Sequence, residues 1–397
     1  MSKAKTILFL ETGTQGGGSF VILMTLLKQI DRELFRPVVC CLNEPRNLDE
    51  FEALGVPVFV LSDPVFSCKP AIRHQLMRVV QRVVNQFIPM IRPFYEPLIH
   101  GGTIRRLKKI IVEESADLIV LCTQINRDLF GTFLAEKCEV PVVSHLRSRN
   151  GQGFTRKLAE RVNAQVSRMT ADSGACRDYW IERGVNADKI EVVYNAVTPK
   201  DVHPVDLHTE FGLPSGAPVI GCVGRLIDIK GQDILLKALS RLEEKHSDAV
   251  VLLVGDGTRR ERLEKLAREL GVESRVVFTG WRTDACSLTA AADVLVQPSR
   301  EEALGLTLLE GMSLGTTVIG SRAGGIPEVI DHETGGLLVE VDDPDGLASA
   351  LDRLLSDSAL REQLAAGGRK TVEEKFSPAL CVRSTERVYR SAIEEHL

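Results

Sequence analysis

The stretch Asp293–Met312, DVLVQPSREEALGLTLLEGM, passes through three local patterns in succession. Val294–Gln297 is a short apolar run of the kind buried on both faces of a sheet. Pro298 and the charged residues after it break that run, and apolar residues at helical spacing begin at about Leu306. A strand that leads through a loop into a helix is the repeating unit of an α/β fold. The same unit recurs along the chain. Ile7–Leu10, Val38–Leu42, Val58–Leu61, Leu118–Cys122 and Val142–Ser144 are predicted strands of the first half, and Val219–Val223, Val250–Val254, Val276–Thr279 and Val318–Ser321 join Val294–Gln297 in the second. Helical segments between β-branched runs imply parallel sheets covered on both faces, so the expected fold class is α/β, doubly wound, and present twice.

Between the two sets lie Pro199, Pro204, Pro214 and Pro218, with Gly212 and Gly216 among them. Such a stretch cannot sustain a helix and suits a linker. The expected organisation is an N-terminal domain over 1–205, a second over 206–376, and a last helix within 377–397. The 397 residues are enough for two large cores, and 44% hydrophobic with 26% charged residues is an ordinary globular composition. A formal net charge of −5 argues against a nucleic-acid partner. Nine cysteines without a CxxC pair, Cys40 and Cys41 adjacent, suggest reduced thiols rather than a disulfide framework or zinc site. The N-terminus lacks the long apolar region of a signal peptide, and no apolar stretch is long enough to span a bilayer. A cytoplasmic protein is expected, either free or resting on the inner face of the membrane. That last expectation comes from residues 69–110, where nine basic residues face a single acidic one, Glu96, with apolar residues between them.

In the opening stretch, Glu302 falls in the loop at a strand's carboxyl end and Glu310 lies two helical turns further on. The first N–H groups of that helix, around Gly305, Leu306 and Thr307, form a seat for an anion. Two carboxylates beside an anion seat suit a ligand with hydroxyls at both ends and phosphate between them, which describes a sugar nucleotide.

Here the chain resembles a known family. Glu302-x7-Glu310 is similar to the EX7E signature of retaining glycosyltransferases with the GT-B fold, the group 4 family, also described as glycosyl transferases group 1. Gly224-Arg225-Leu226-Ile227-Asp228-Ile229-Lys230-Gly231 resembles its GRxxxxKG segment. Val254-Gly255-Asp256-Gly257, Phe278-Thr279-Gly280, Ala292-Asp293-Val294 and Gly324-Gly325-Ile326-Pro327-Glu328 follow in the family's order. The resemblance implies two Rossmann-like lobes, the second binding a nucleotide-sugar donor and the first an acceptor, with the last helix, over 377–397, returning to the first. It implies that Arg225 and Lys230 hold the diphosphate and stabilise the charge that grows as it departs. Glu310 is then expected on the ribose, with Glu302, Gly305, Leu306 and Thr307 at the donor sugar and phosphate.

In the first half, Gly16-Gly17-Gly18 follows the first strand without the GxGxxG spacing of a dinucleotide site. It resembles the family's N-terminal glycine pair, which puts Gly17 at the donor phosphate, although Phe20 stands where many members carry an acid. His145, at the end of a strand, is expected near the reacting sugar. Arg147 and Arg149 suit either an anionic acceptor or a solvated loop, and Ser173 and Asn195 stand at strand ends. The cluster Asp342-Asp343-Pro344-Asp345 has the pattern of a turn and helix cap rather than a metal site. No DxD-like element stands at a strand end, so a metal-independent enzyme without cofactor is expected. The function implied is transfer of a sugar from a UDP- or GDP-sugar to a glycan or lipid-linked acceptor in surface polysaccharide or lipopolysaccharide synthesis. The alternatives are a nucleotide-sugar epimerase or hydrolase on the same fold and a non-catalytic glycan-binding homologue.

Overall fold

The computed structural model describes residues 3–11, 18–43, 48–61, 101–122, 129–151, 153–198, 202–242 and 246–396. The chain divides into two compact units, Met1–Tyr194 with Pro378–Leu397, and Asn195–Ser377. Residues 195–205, grouped with the first domain on sequence grounds, belong with the second unit. The backbone N–H of His203 is tied there to Ser287 Oγ at 3.1 Å.

Among the described residues, the first unit holds seven strands: β1 (Lys5–Glu11), β2 (Phe35–Cys41), β3 (Val58–Val60), β4 (Leu118–Leu121), β5 (Val142–Leu146), β6 (Arg168–Ala171) and β7 (Ile190–Val192). They pair in the order β3-β2-β1-β4-β5-β6-β7, and every pair is parallel. The second unit pairs β8 (Val219–Val223), β9 (Val250–Val254), β10 (Val276–Gly280), β11 (Val294–Gln297), β12 (Thr317–Ser321) and β13 (Leu337–Val339) in the order β10-β9-β8-β11-β12-β13, again all parallel. Strands of these parallel sheets are covered on both faces, which is why Val250–Val254 and Val294–Val296 are apolar throughout and buried. In both sheets the order reverses once, between β1 and β4 and between β8 and β11. The loops leaving the two strands at such a point diverge to opposite faces and open a crevice at the carboxyl edge, where ligands of this fold bind.

β6, β7 and β13 are not among the apolar runs read as strands, although the sequence reading places Ser173 and Asn195 at strand ends. β6 carries Arg168 and Thr170 among its four residues, β7 is Ile-Glu-Val, and β13 is only three residues long. None offers an apolar run long enough to be distinguished from a loop. Each is a strand because a neighbour already in place supplies its hydrogen bonds.

The helix Pro378–Glu394 belongs to the first unit. It buries Cys381, Val382, Val388, Tyr389 and Ala392, and the Tyr389 ring meets Phe9 edge-on at 6.1 Å. Its polar side is pinned by Arg387 to Glu191, and the turn beyond it by Glu395 to Arg168. The four basic residues Arg105, Arg106, Lys108 and Lys109 of the basic stretch lie on the helix Gly101–Glu113, whose Ile104, Leu107, Ile110 and Ile111 are buried in the unit's own core. The remainder of that stretch, 69–100, lies outside the described residues. Among the described residues no helix is long and apolar enough to cross a membrane.

Candidate functional site

At the reversal point of the second unit, the loop leaving β8 and the loop leaving β11 are locked together by their backbones. Gly231 has φ +67, and a Cβ there would overlap the Pro298 carbonyl oxygen, so only glycine allows the two loops to approach this closely. Arg300 completes the lock. Its backbone N–H donates to Ile229 O at 2.8 Å, and its guanidinium donates to both oxygens of Asp233 at 2.7 and 2.8 Å and to Asp342 at 2.6 Å. Burial works to raise the Asp233 carboxyl, but the Arg300 hydrogen bonds and charge, with Lys237, outweigh it and hold the group below its ordinary value. Sequence reading passed over Arg300. It stands next to the glutamate pair, yet nothing in its local pattern signals partners nearly seventy positions upstream.

This lock brings Lys230 and Glu302 together. Lys230 Nζ donates to Glu302 Oε2 at 2.5 Å, and Gln297 Nε2, at the end of β11, donates to the same oxygen at 2.6 Å. Ser299 Oγ is 3.4 Å from it. The side chains of Lys230 and Glu302 keep 20% and 15% of their surface exposed, so the pair is oriented from below and open to a ligand from above. Lys230 also bears on the buried Cys222, whose thiol burial pushes up to about 12 while the ammonium draws it down. Arg225 is exposed on the same turn. Its carbonyl accepts from the buried Gln232 Nε2 at 3.0 Å, which fixes the backbone that carries it. Among the described residues its guanidinium has no carboxylate partner.

Across the lock, Gly305 adopts φ +108 and starts the helix Leu306–Leu314 with no side-chain cap. The carbonyl of Gly305 accepts from Leu308 and Leu309, which leaves the N–H groups of Leu306 and Thr307 as the orphan donors of a helix start. Glu310 lies half-buried on that helix, and its carbonyl accepts from Ser313 Oγ at 2.7 Å. One edge of the second sheet therefore gathers two cations, two carboxylates and a helix N-terminus. Direct contact is seen between Lys230 and Glu302.

In the first unit, Gly17 lies outside the described residues. His145, on β5, is 5% exposed, with both ring nitrogens engaged: Nε2 lies 2.8 Å from Tyr389 Oη and Nδ1 2.7 Å from Thr170 Oγ1. Burial, reinforced by the charge of Arg147, lowers its pKa well below the ordinary value, so the ring is neutral. It joins β5, β6 and the returning helix, with no nitrogen left for a ligand in this arrangement. Ser173 caps the helix Gly174–Ile181 by accepting from Cys176 N at 2.9 Å, and Asn195 is buried. Asp343 caps the helix Pro344–Ser356 by accepting from Gly346 N at 2.9 Å. Among the described residues no group of three His, Cys, Asp or Glu side chains is placed to hold a metal.

Comparison with known proteins bears on the family and the fold. Residues 206–371 match the family model described as glycosyl transferases group 1, and residues 16–201 match that of glycosyltransferase family 4. The chain is 41% identical over 188 residues to the lipopolysaccharide core biosynthesis glycosyltransferase LpsD of Rhizobium meliloti, covering 47% of this chain and 53% of that protein. It is 32% identical over 209 residues to the N-acetyl-alpha-D-glucosaminyl L-malate synthase of Bacillus anthracis, covering 52% and 55%. The chain thus spans about half the length of the curated relatives it matches. Among solved structures, Anabaena HepE in complex with UDP and glucose superposes with TM-score 0.77 at 22% identity, covering 98% of this chain and all of that one. Sucrose-phosphate synthase from Thermosynechococcus elongatus gives TM-score 0.77 at 19% identity, covering 98% and 100%. These likenesses extend over the whole fold.

Proposed function

From the premise that this chain belongs to the group 1, family 4 glycosyltransferases, we propose that it moves a sugar from a nucleotide sugar to a glycan or lipid-linked acceptor, with retention of anomeric configuration and without a metal. The observation that carries the proposal is the Lys230–Glu302 pair beside an uncapped helix start at the β8/β11 reversal. Glu302 alone would repel a diphosphate. Two cations and the N–H groups of Leu306 and Thr307 outweigh one carboxylate, and the carboxylate keeps Lys230 oriented in the absence of donor.

In this reading Arg225 and Lys230 bind the diphosphate bridge, Leu306 and Thr307 donate to its sugar-side phosphate, and Glu310 accepts from the ribose hydroxyls. The bond from the anomeric carbon to the phosphate oxygen breaks first. Both its electrons leave with the nucleoside diphosphate, and the charge gained there is met by preorganised donors. The acceptor oxygen attacks the same face of the oxocarbenium-like carbon, and its proton passes to the departing phosphate oxygen. Glu302 faces the donor sugar. We assign His145 to positioning the first unit's edge rather than to proton transfer, because its nitrogens are occupied. Gly17 is assigned to the donor phosphate.

Two of the relatives are lipopolysaccharide core glycosyltransferases, which makes a surface-polysaccharide acceptor the first to try. UDP is the first base to try as donor. The basic segment 69–110 would bring the protein to the anionic inner face of a membrane. The test is turnover of a panel of UDP- and GDP-sugars with lipid-linked and core-oligosaccharide acceptors. A transferred sugar with the donor's anomeric configuration supports the reading. Free sugar or an epimerised donor as sole product replaces it with the hydrolase or epimerase alternative.

A further inference from the structure

The carboxyl edge of the first sheet holds a second charged group that the donor chemistry does not use. Arg147 and Arg149 follow β5, and Arg177 lies on the helix after β6. All three are half-buried, and the Nε atoms of Arg149 and Arg177 are shut off from solvent with no hydrogen-bond partner. Neither Arg149 nor Arg177 forms an ion pair with any described residue. A desolvated donor left without a partner costs about 1–3 kcal/mol, so a fold with no use for these groups would gain by placing them in water.

The loop that presents them is held by other side chains. Trp180 Nε1 donates to Ser148 O at 3.0 Å, and Gly151 N–H donates to Tyr179 Oη at 2.7 Å. Arg183 sits over the Tyr179 ring at 3.5 Å, and Arg149 lies 5.4 Å from the same ring. Arg147 reaches back along the edge, donating to Cys122 O beyond β4 at 3.4 Å. Arg177 is one turn into its helix, and helical side chains lean toward the N-terminus, which here is the strand edge. Arg149 and Asp172 both bear on the buried thiol of Cys176. Glu11 and Asp172 are the buried carboxylates at this edge.

We propose that this edge binds a phosphoryl group of the acceptor, with Arg149 and Arg177 as its principal ligands and Arg147 beside them. A planar guanidinium fork matches two phosphate oxygens, and a dianion with three equivalent oxygens engages several forks where a carboxylate fills one. The proposal rests on the sugar-transfer reading for the word acceptor, but the site itself does not.

The test titrates the full chain with inorganic phosphate and methyl phosphate at low ionic strength, with UDP saturating, and compares Arg149→Gln/Arg177→Gln with the unaltered protein. UDP affinity measured alone on both proteins reports on the donor reading separately. Near-ultraviolet circular dichroism establishes that the variant is folded, and Arg149→Lys/Arg177→Lys supplies a milder change if it is not. The proposal expects one phosphate per chain, weakened at least tenfold in the glutamine variant and less in the lysine one, with UDP affinity unchanged. Cosedimentation with phosphatidylglycerol but not phosphatidylcholine liposomes, lost in the variant, assigns the phosphate to a lipid-borne acceptor. Binding of methyl phosphate without cosedimentation assigns it to a soluble one. Equal phosphate binding by both proteins, no phosphate binding by the unaltered chain, or tighter binding of acetate than of phosphate overturns the proposal. Absence of UDP binding refutes the donor reading instead, and the phosphate comparison then stands without it.

Discussion

The two sheets have the same strand order around their reversal points, yet their carboxyl edges are finished differently. In the second unit the β8 and β11 loops are bolted to each other through Gly231, Pro298 and Arg300, and a cation is already paired to a carboxylate before any ligand arrives. In the first unit His145, on β5, is neutral and engaged on both sides, while the Nε atoms of Arg149 and Arg177 have no hydrogen-bond partner among the described residues. In the proposed reading, one edge stabilises changing charge and the other holds a fixed one. Charge that develops during a reaction needs donors that do not reorganise. A charge that merely positions a substrate needs complementarity alone.

The largest expected effect breaks the second edge. Lys230→Ala lowers kcat about 10²–10³-fold, the usual loss when one preorganised donor to a developing oxyanion is removed, while the melting temperature stays within a few degrees. Activity equal to the unaltered protein would remove Lys230 from the site. Next, Gly231→Ala forces a left-handed φ on a residue with a Cβ, at about 1–2 kcal/mol, and adds the clash with Pro298 O. Urea unfolding is expected to show a loss of about 2 kcal/mol or more, with KM for the donor raised because both loops shift. Arg300→Ala is expected to be milder. Its guanidinium is 29% exposed, so solvent screens the pair, and the stability loss is about 1 kcal/mol. A donor KM that does not move would mean that the lock is not needed to hold Lys230 against Glu302.

The smallest effect sharpens the first edge. The pKa of His145 in the folded chain lies well below the ordinary 6.5. The unfolded chain therefore binds the extra proton first as pH falls, and stability from this residue, full above about 6.5, is lost as pH drops toward the folded value. His145→Gln should flatten that acid-side slope in unfolding measured between pH 7 and 5. An unchanged slope would show that the ring is not held neutral.

How much of this was legible follows from range in sequence. β1, β8, β9 and β11 are apolar runs whose burial needs no partner to be recognised, and the Glu302 and Lys230 motifs are local patterns. β6, with Arg168 and Thr170, and the three-residue β7 and β13 become strands only by pairing, so no local signal marks them. Arg300 and Tyr389 were overlooked for the same reason. Arg300 reaches Asp233, 67 positions away, and Tyr389 reaches His145 across 244. The expectation for His145 drew on the end of β5 alone, whereas Tyr389, which engages its ring, comes from the end of the chain.

In the proposed function the β8/β11 edge binds a nucleoside diphosphate through Arg225 and Lys230. Isothermal titration of UDP and of GDP into the full chain and into Arg225→Ala/Lys230→Ala measures it directly. The account predicts binding of one of them at one site per chain, weakened at least tenfold in the double variant with the fold intact. Equal affinity in the variant, or no binding of either diphosphate to the unaltered chain, would contradict it.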